Sequence, residues 1–416
     1  MTRILHTGDT HLGYQQYHRQ ARRDDFLNAF HGVADDAIAD DVAAVVHAGD
    51  LFHDRQPALE DIMGAMQVLR RLADADIPFL AIVGNHEAKR QRQWLDLFES
   101  MGLATRLGAD PVTVGNVALY GLDFVPRSQR EDREYQFEPH DAEHAALVTH
   151  GLFQPFDHGD WDATAVLGAS PVTVDAMLLG DDHDPKTRRI EEPYDAWLTY
   201  CGSTERASAA EHEERGYNLV VFDDGVDVRR RGLDTREFVF VEADLGPGEG
   251  TEQVRERIGQ YDVEDAVVIV DIVGDGEEVL AANVEEFGEQ RGALVTRVND
   301  RREMPDETDI DVSFADPDDA VTERVGEMGL STAARDIDET IRASKVADSN
   351  VADTVQRRIE SLLDEGDTGV FDPAEDAAGE DGSPAAGADD GEPSAAKDSD
   401  SPADEAEDQV TMEDYR

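Results

Sequence analysis

The sequence predicts an α/β protein built on a layered sheet. Three observations lead there. Apolar runs of strand length alternate with stretches of helical period in the first hundred residues. Five apolar runs along the chain stop at short motifs carrying glycine together with Asp, Asn or His. Near Thr235 the alternation restarts, which adds a second, small α/β domain.

Taken in order, a strand over residues 4–7 leads to Gly8-Asp9-Thr10-His11. The polar and aromatic segment Leu12-Gly13-Tyr14-Gln15-Gln16-Tyr17-His18-Arg19 reads as a loop beside it. A helix follows over 24–39, with Phe26, Phe30, Val33 and Ala37 at helical spacing. A second strand over 42–47 ends at Gly49-Asp50-Leu51-Phe52-His53. Pro57 suits the first turn of the next helix, whose stripe is Ile62, Met66, Leu69 and Leu72. The third strand, 78–83, ends at Gly84-Asn85-His86-Glu87. A helix over 93–101 places Trp94, Leu97, Phe98 and Met101 on one side, for the core or for a second copy of the chain. Strands at 111–114 and 117–122 precede one at 145–149 that ends in His150-Gly151. Another at 176–179 ends in Gly180-Asp181-Asp182-His183.

The domain boundaries fall at 1–235 for the first unit and 236–300 for the second. Residues 301–330 are acidic and proline-containing, which suits a linker. Two amphipathic helices are expected within 331–364, with Val351, Val355, Ile359 and Leu362 on one stripe. Two such helices cannot bury that stripe alone, so they dock on a partner or pack back on the second domain. From 365 to 416 the chain is Ala, Gly, Pro, Ser and acid, a composition that stays disordered.

Charge narrows the setting. The chain has 94 acidic and 37 basic residues and a net charge of −57. The tail contributes 18 acidic residues against two basic ones, so most of the excess lies on the folded part. Such self-repulsion strains a compact fold unless salt screens it, and at ~1 M the screening length is about 3 Å. A molar-salt cytosol, hence an extreme halophile, is the expectation. No apolar run approaches the roughly 18 residues of a membrane span, and the lone Cys201 excludes a disulfide framework. A cytoplasmic protein with no membrane partner is expected.

Open α/β sheets bind ligands beyond the carboxyl ends of their strands. Here those ends deliver Asp9, His11, Asp50, Asn85, His150, Asp181 and His183, an oxygen and imidazole set without thiolate. That set favours Mn²⁺, Mg²⁺ or Fe over a structural zinc. Seven ligands exceed the needs of one catalytic ion and suit two ions bridged by one carboxylate, for which Asp50 is the candidate. Paired ions clamp the attacking and leaving oxygens of an in-line displacement at phosphorus, so phosphate-ester hydrolysis is expected. His86, directly after Asn85, suits a general acid, and His53 suits orienting substrate or supporting His86.

These motifs resemble the calcineurin-like metallophosphoesterase superfamily. More narrowly, the run from His11 to His18, together with Tyr200-x-Gly202-Ser203-x-Glu205-Arg206, resembles the meiotic-recombination-eleven/SbcD family of DNA double-strand-break repair nucleases. The resemblance implies a metallophosphoesterase sheet sandwich flanked by helices, with a capping domain. It implies a homodimeric nuclease with two Mn²⁺ per chain (Mg²⁺ the alternative), 3′→5′ exonuclease and endonuclease activities on DNA ends, and docking on a Rad-fifty/SbcC-type ABC ATPase. Carried onto this chain, one ion takes Asp9, His11, Asp50 and His183, and the other Asp50, Asn85, His150 and Asp181. His86 becomes the catalytic histidine with His53 its neighbour, and Tyr14, Tyr17, His18 and Arg19 lie near DNA.

One position departs from the pattern. The family has Gly-His-x-His where this chain has Gly180-Asp181-Asp182-His183. A harder, charged ligand at 181 tilts an occupied site toward Mn²⁺ or Mg²⁺; the rival outcome is a weakened second site. Two other functions compete with the nuclease: a small-substrate phosphodiesterase, and a repair scaffold whose catalysis is secondary.

Overall fold

The computed structural model describes residues 1–89, 92–130 and 133–302, so the linker, paired helices and tail expected beyond 302 lie outside the described residues. The first elements are β1 (Thr2–Thr7), α1 (Gln20–Ala39), β2 (Ala44–His47), α2 (Leu59–Asp74), β3 (Phe79–Ala81) and α3 (Trp94–Ser100). Next come β4 (Thr105–Arg106), β5 (Val112–Val114), β6 (Val117–Leu122), β7 (His144–His150), β8 (Phe153–Gln154), β9 (Trp161–Asp162) and α4 (Ala163–Ala169). They are followed by β10 (Ala176–Gly180), β11 (Lys186–Ile190), β12 (Ala196–Tyr200), β13 (Gly216–Phe222) and β14 (Val226–Gly232). The last are β15 (Phe238–Leu245), α5 (Thr251–Ile258), β16 (Val267–Gly274), α6 (Ala281–Gln290) and β17 (Val295–Asp300).

Two six-stranded sheets form the first unit, in the orders β14-β13-β1-β2-β3-β4 and β11-β12-β10-β7-β6-β5. Strand alternation explains how they stack. Ile4, Ala44, Val46 and Leu80 of the first sheet meet Val117, Leu119, Val148 and Leu178 of the second in a common core. Leu5, Val45, Phe79 and Ala81 point the other way, onto Phe30 and Val33 of α1, Val68 and Leu69 of α2, and Phe98 of α3. On the far side, Leu147, Met177 and Leu198 pack against Val166 and Leu167 of α4. The result is helices, sheet, sheet, helix.

Boundaries differ from the sequence reading where polar residues do structural work. The first helix begins at Gln20, four residues early, because Arg22 is buried rather than exposed and so escapes an apolar count. Pro57 precedes the helical residues of α2, and Asp61 turns back to accept from the Ala58 N–H at 3.0 Å. The side expected on the third helix divides: Phe98 enters the core and Trp94 packs against it, while Leu97 and Met101 are 40% and 42% exposed.

The second unit is a parallel three-stranded sheet, β15-β16-β17. One face packs Val241, Val268 and Val270 against Val254 and Ile258 of α5 and Val284 of α6. The other face, with Phe238, Val267 and Ile269, rests on Tyr17 and Ala209 of the first unit. The seam is also charge-paired. Arg22, fully buried, reaches Asp25 at 2.6 Å and Glu205 at 3.2 Å, and its guanidinium lies 5.0 Å from the Phe238 ring centre. Arg236 meets Asp25 at 2.5 Å.

Candidate metal centre

The parallel runs β1-β2-β3 and β6-β7-β10-β12 bring their carboxyl ends to one edge of the sandwich. Loop hydrogen bonds then lock the motifs to each other: Asp9 N–H to Gly49 O at 3.0 Å, His11 N–H to Asp50 O at 3.0 Å, and Gly151 N–H to Gly180 O at 3.1 Å. Tight loops of this kind force unusual backbone. Asp9, His11, Asp50 and Asp181 all have positive φ, at 48°, 42°, 57° and 93°. Such conformations cost free energy in non-glycine residues and persist where the surroundings over-determine them. Gly84 shows how close the loops come: a Cβ there would collide with the Asp50 carboxylate.

All seven strand-end side chains meet around Asp50. His150 Nε2 lies 2.8 Å from Asn85 Oδ1, 3.4 Å from Asp50 Oδ2 and 3.6 Å from Asp181 Oδ1. His11 Nε2 lies 3.0 Å from His183 Nε2 and 3.9 Å from Asp50 Oδ2. The Asp9 carboxylate accepts the Asp181 N–H at 3.1 Å. Ligand atoms of Asp9, His11 and His183 lie within 4.8 Å of one another, as do those of Asp9, Asp50 and His150. His11, His53 and His86 form a third such group. His86 donates its N–H to Asp50 Oδ1 at 3.0 Å, and its Nδ1 lies 2.9 Å from His53 O.

The donor chemistry fits cations. His150 Nδ1 faces Ala48 O at 2.8 Å and His183 Nδ1 faces Glu211 at 2.8 Å, so each ring donates outward and presents Nε2 inward. Around His150 Nε2 stand three oxygens that only accept hydrogen bonds. Without a metal a proton must hold them: burial opposes protonation of His150, yet Asp50 and Asp181 push it well above its ordinary value. Asp9 is pushed up to about 6 by burial and by the neighbouring carboxylates, against the pull of His150 and His183. Burial also opposes ionisation of Asp50, but His150 and His11 hold it well below the usual carboxylate range. His183 rises to about 9 because Glu211 and Asp9 outweigh its burial. Three carboxylates crowded into one buried pocket are stabilised by multivalent positive charge.

Two supporting residues escaped the sequence reading. Glu211 is buried and accepts from His183 Nδ1, Ser203 Oγ at 3.1 Å, Arg215 Nη1 at 3.1 Å and the Ala207 N–H at 3.1 Å. Nothing in the sequence marks it, since it sits 28 residues after His183 in irregular chain. Glu87 joins two motifs by accepting the N–H of Phe52 at 3.0 Å and of Gly84 at 3.4 Å. Burial lifts its carboxyl to about 8, with Asp50 adding to the shift. Its position directly after His86 was the available signal. His6 and His47, buried beneath the site, fall to about 3 through burial and remain neutral.

The Tyr14–Arg19 segment is more engaged than a free loop. The Tyr14 ring stacks on His53 with centroids 4.0 Å apart. Tyr17 lies 5.4 Å from the Arg297 guanidinium, and Arg19 pairs with Glu289 at 2.6 Å, both on the second unit. His18 is exposed.

Fold and site together define a phosphodiester hydrolase with a dinuclear metal centre, and residues 2–185 match the calcineurin-like phosphoesterase family. Curated relatives narrow this. A DNA double-strand break repair protein Mre11 from Haloferax volcanii is 62% identical over 378 residues, 90% of this chain and 85% of that one. The protein of that name from Halobacterium salinarum is 55% identical over 92% of this chain and 98% of its own. One from Methanosarcina acetivorans is 44% identical over 87% of this chain and 61% of its own. The chain belongs to the Mre11 family. The first two relatives come from halophilic archaea, in keeping with the acidic composition. Among the described residues no helix is long and apolar enough to cross a membrane.

Proposed function

We propose that the chain is a two-metal DNA nuclease, with 3′→5′ exonuclease and endonuclease activities, that processes double-strand-break ends in the cytoplasm together with a Rad-fifty/SbcC-type ABC ATPase. The convergence of six side chains on Asp50, seven candidate ligands from five strand ends in all, is the observation that carries it. Asp9, His11, Asp50 and His183 would hold one ion, and Asp50, Asn85, His150 and Asp181 would hold the other. Mn²⁺ suits this hard, mixed oxygen and imidazole set, with Mg²⁺ the alternative. Bound there, such a pair supplies Lewis-acid stabilisation of charge at phosphorus and a nucleophile from water at neutral pH.

The chain does the rest. His86, fixed through Nδ1 by the His53 carbonyl, is the candidate general acid for the leaving oxygen. His53 keeps that carbonyl in place while its ring stacks against Tyr14. Tyr14, Tyr17, His18 and Arg19 bound the DNA path, with exposed His18 making the direct contact. Residues 1–235 are the nuclease domain and 236–300 the cap, and the ATPase-docking role falls to 331–364.

A homodimer accounts for the apolar side chains left on the outer helices. Leu59 and Met63 of α2 are 71% and 46% exposed, and Leu97 and Met101 lie by α3. The deciding experiment compares linear duplex DNA with p-nitrophenyl phosphate esters in Mn²⁺ and molar KCl, with and without the ATPase. Preference for DNA supports the nuclease; preference for the small ester overturns it.

A further inference from the structure

Near Gly151, the residue after His150, lies a cleft of about 410 Å³ lined by Arg127, Arg130, Arg133, Tyr135, Trp161, Asp160 and Asp162. Arg127, Arg130 and Arg133 fall within seven residues, with Glu131 and Asp132 between them and Glu134 directly after. Arg127 opens a short 3₁₀ turn, Arg130 N–H bonds back to Arg127 O, and Arg133 N–H bonds to Arg130 O, both at 3.3 Å.

Arg130 is rigidly built. Its guanidinium lies 4.6 Å from the Trp161 ring centre, and Trp161 is itself stacked on Phe153 at 4.9 Å. Nε donates to Val125 O at 2.8 Å and Nη1 to Asp160 at 2.6 Å. Nη2 has no hydrogen-bond partner among the described residues, and it is the nitrogen that approaches Gly151, 3.8 Å from where a Cβ would stand. Gly151 directly follows His150. Arg127 and Arg133 are exposed and form no ion pair among the described residues. Tyr135, partly exposed, adds an aromatic ring at the rim.

We propose that this cleft is a subsite for the phosphodiester backbone of a single nucleic-acid strand, entering beside Gly151 one or more nucleotides from the scissile bond. Arg130 Nη2 contacts the near phosphate, Arg127 and Arg133 contact those further out, and Tyr135 offers a face to a base. The design suits molar salt. Long-range attraction is screened there, so affinity has to come from short, charge-assisted hydrogen bonds made by a guanidinium already fixed and only 10% exposed. The inference rests on the nuclease reading and names where its strand lies.

The test measures kcat/KM on a labelled single-stranded oligonucleotide and on bis-(p-nitrophenyl) phosphate, with the full chain in Mn²⁺ and molar KCl. The variants are Arg127→Gln/Arg133→Gln, both exposed and structurally unencumbered, and Arg130→Lys, which keeps charge but loses the planar fork. The expected result is that the ratio of oligonucleotide to ester kcat/KM falls at least about tenfold in each, and that the wild-type slope of oligonucleotide KM against salt flattens in the double variant. A ratio unchanged in the double variant overturns the subsite and leaves the nuclease standing. A wild type that hydrolyses the ester and no nucleic acid overturns the nuclease reading and the subsite with it.

Discussion

Replacing Glu211 tests whether residues behind the centre set its affinity for metal. Its carboxylate accepts four hydrogen bonds, one from His183 Nδ1 and three from Ser203, Ala207 and Arg215. Arg215 is fully buried, and its other carboxylate neighbour, Asp184, lies 4.0 Å away. Glu211→Ala therefore strands a buried guanidinium, a loss of about 3–5 kcal/mol, and unfolding would obscure any effect on metal. Glu211→Gln keeps the shape. Its amide has one oxygen for partners that all donate, so it satisfies either His183 or the Arg215 side. The stability loss is about 1–3 kcal/mol for the group left unpaired. Losing the negative partner of a ligating imidazole lowers metal affinity by about 10–100-fold. Calorimetric titration of Mn²⁺ into chelator-treated protein in molar KCl reads this directly, with circular dichroism to confirm folding. A folded Glu211→Gln variant that binds both ions with wild-type affinity refutes the reasoning.

Further outcomes follow from the same geometry. His86→Gln lowers DNA hydrolysis by about 10²–10⁴-fold while metal stoichiometry, measured by elemental analysis, stays at the wild-type value. Glu87→Ala frees the buried N–H groups of Phe52 and Gly84 and lowers thermal stability by about 1–3 kcal/mol, read as a drop in Tm. Met63→Glu/Leu97→Glu converts a dimer to a monomer in light scattering, with the circular dichroism spectrum preserved; an unaltered mass places the dimer interface elsewhere. Adding Mn²⁺ to chelated protein at about 100 times its Kd raises stability by about 2.7 kcal/mol per occupied site, and Tm rises accordingly.

The core of the site was legible because strand ends are where an α/β sheet presents chemistry, and short motifs follow each strand without interruption. Asp9, Asp50, Asn85, His150 and His183 could be read from their places after apolar runs. Glu211 and Arg215 could not, since they lie in irregular chain and act only through a fold that brings them behind His183. The 163–169 helix was missed because Ala-Thr-Ala-Val-Leu-Gly-Ala shows no amphipathic period, and its Asp162 cap is a single residue. The edge strand Lys-Thr-Arg-Arg-Ile at 186–190 was missed because it is mostly exposed and its charged residues do not alternate with apolar ones. The Tyr14–Arg19 segment, read as lying near DNA, also carries the seam to the second unit, because aromatic and charged side chains serve either purpose equally well. Only coordinates pair Tyr17 with Arg297 and Arg19 with Glu289.

Asp181 concentrates the remaining question, since a carboxylate stands where the family pattern has an imidazole. Its oxygen lies 3.6 Å from His150 Nε2, on the same side as Asp50 and Asn85. Equilibrium dialysis of the wild-type chain against Mn²⁺ in molar KCl, with bound metal counted per polypeptide, bears most directly on the paired-cation centre. Two ions per chain is the predicted value; a plateau at one would contradict it.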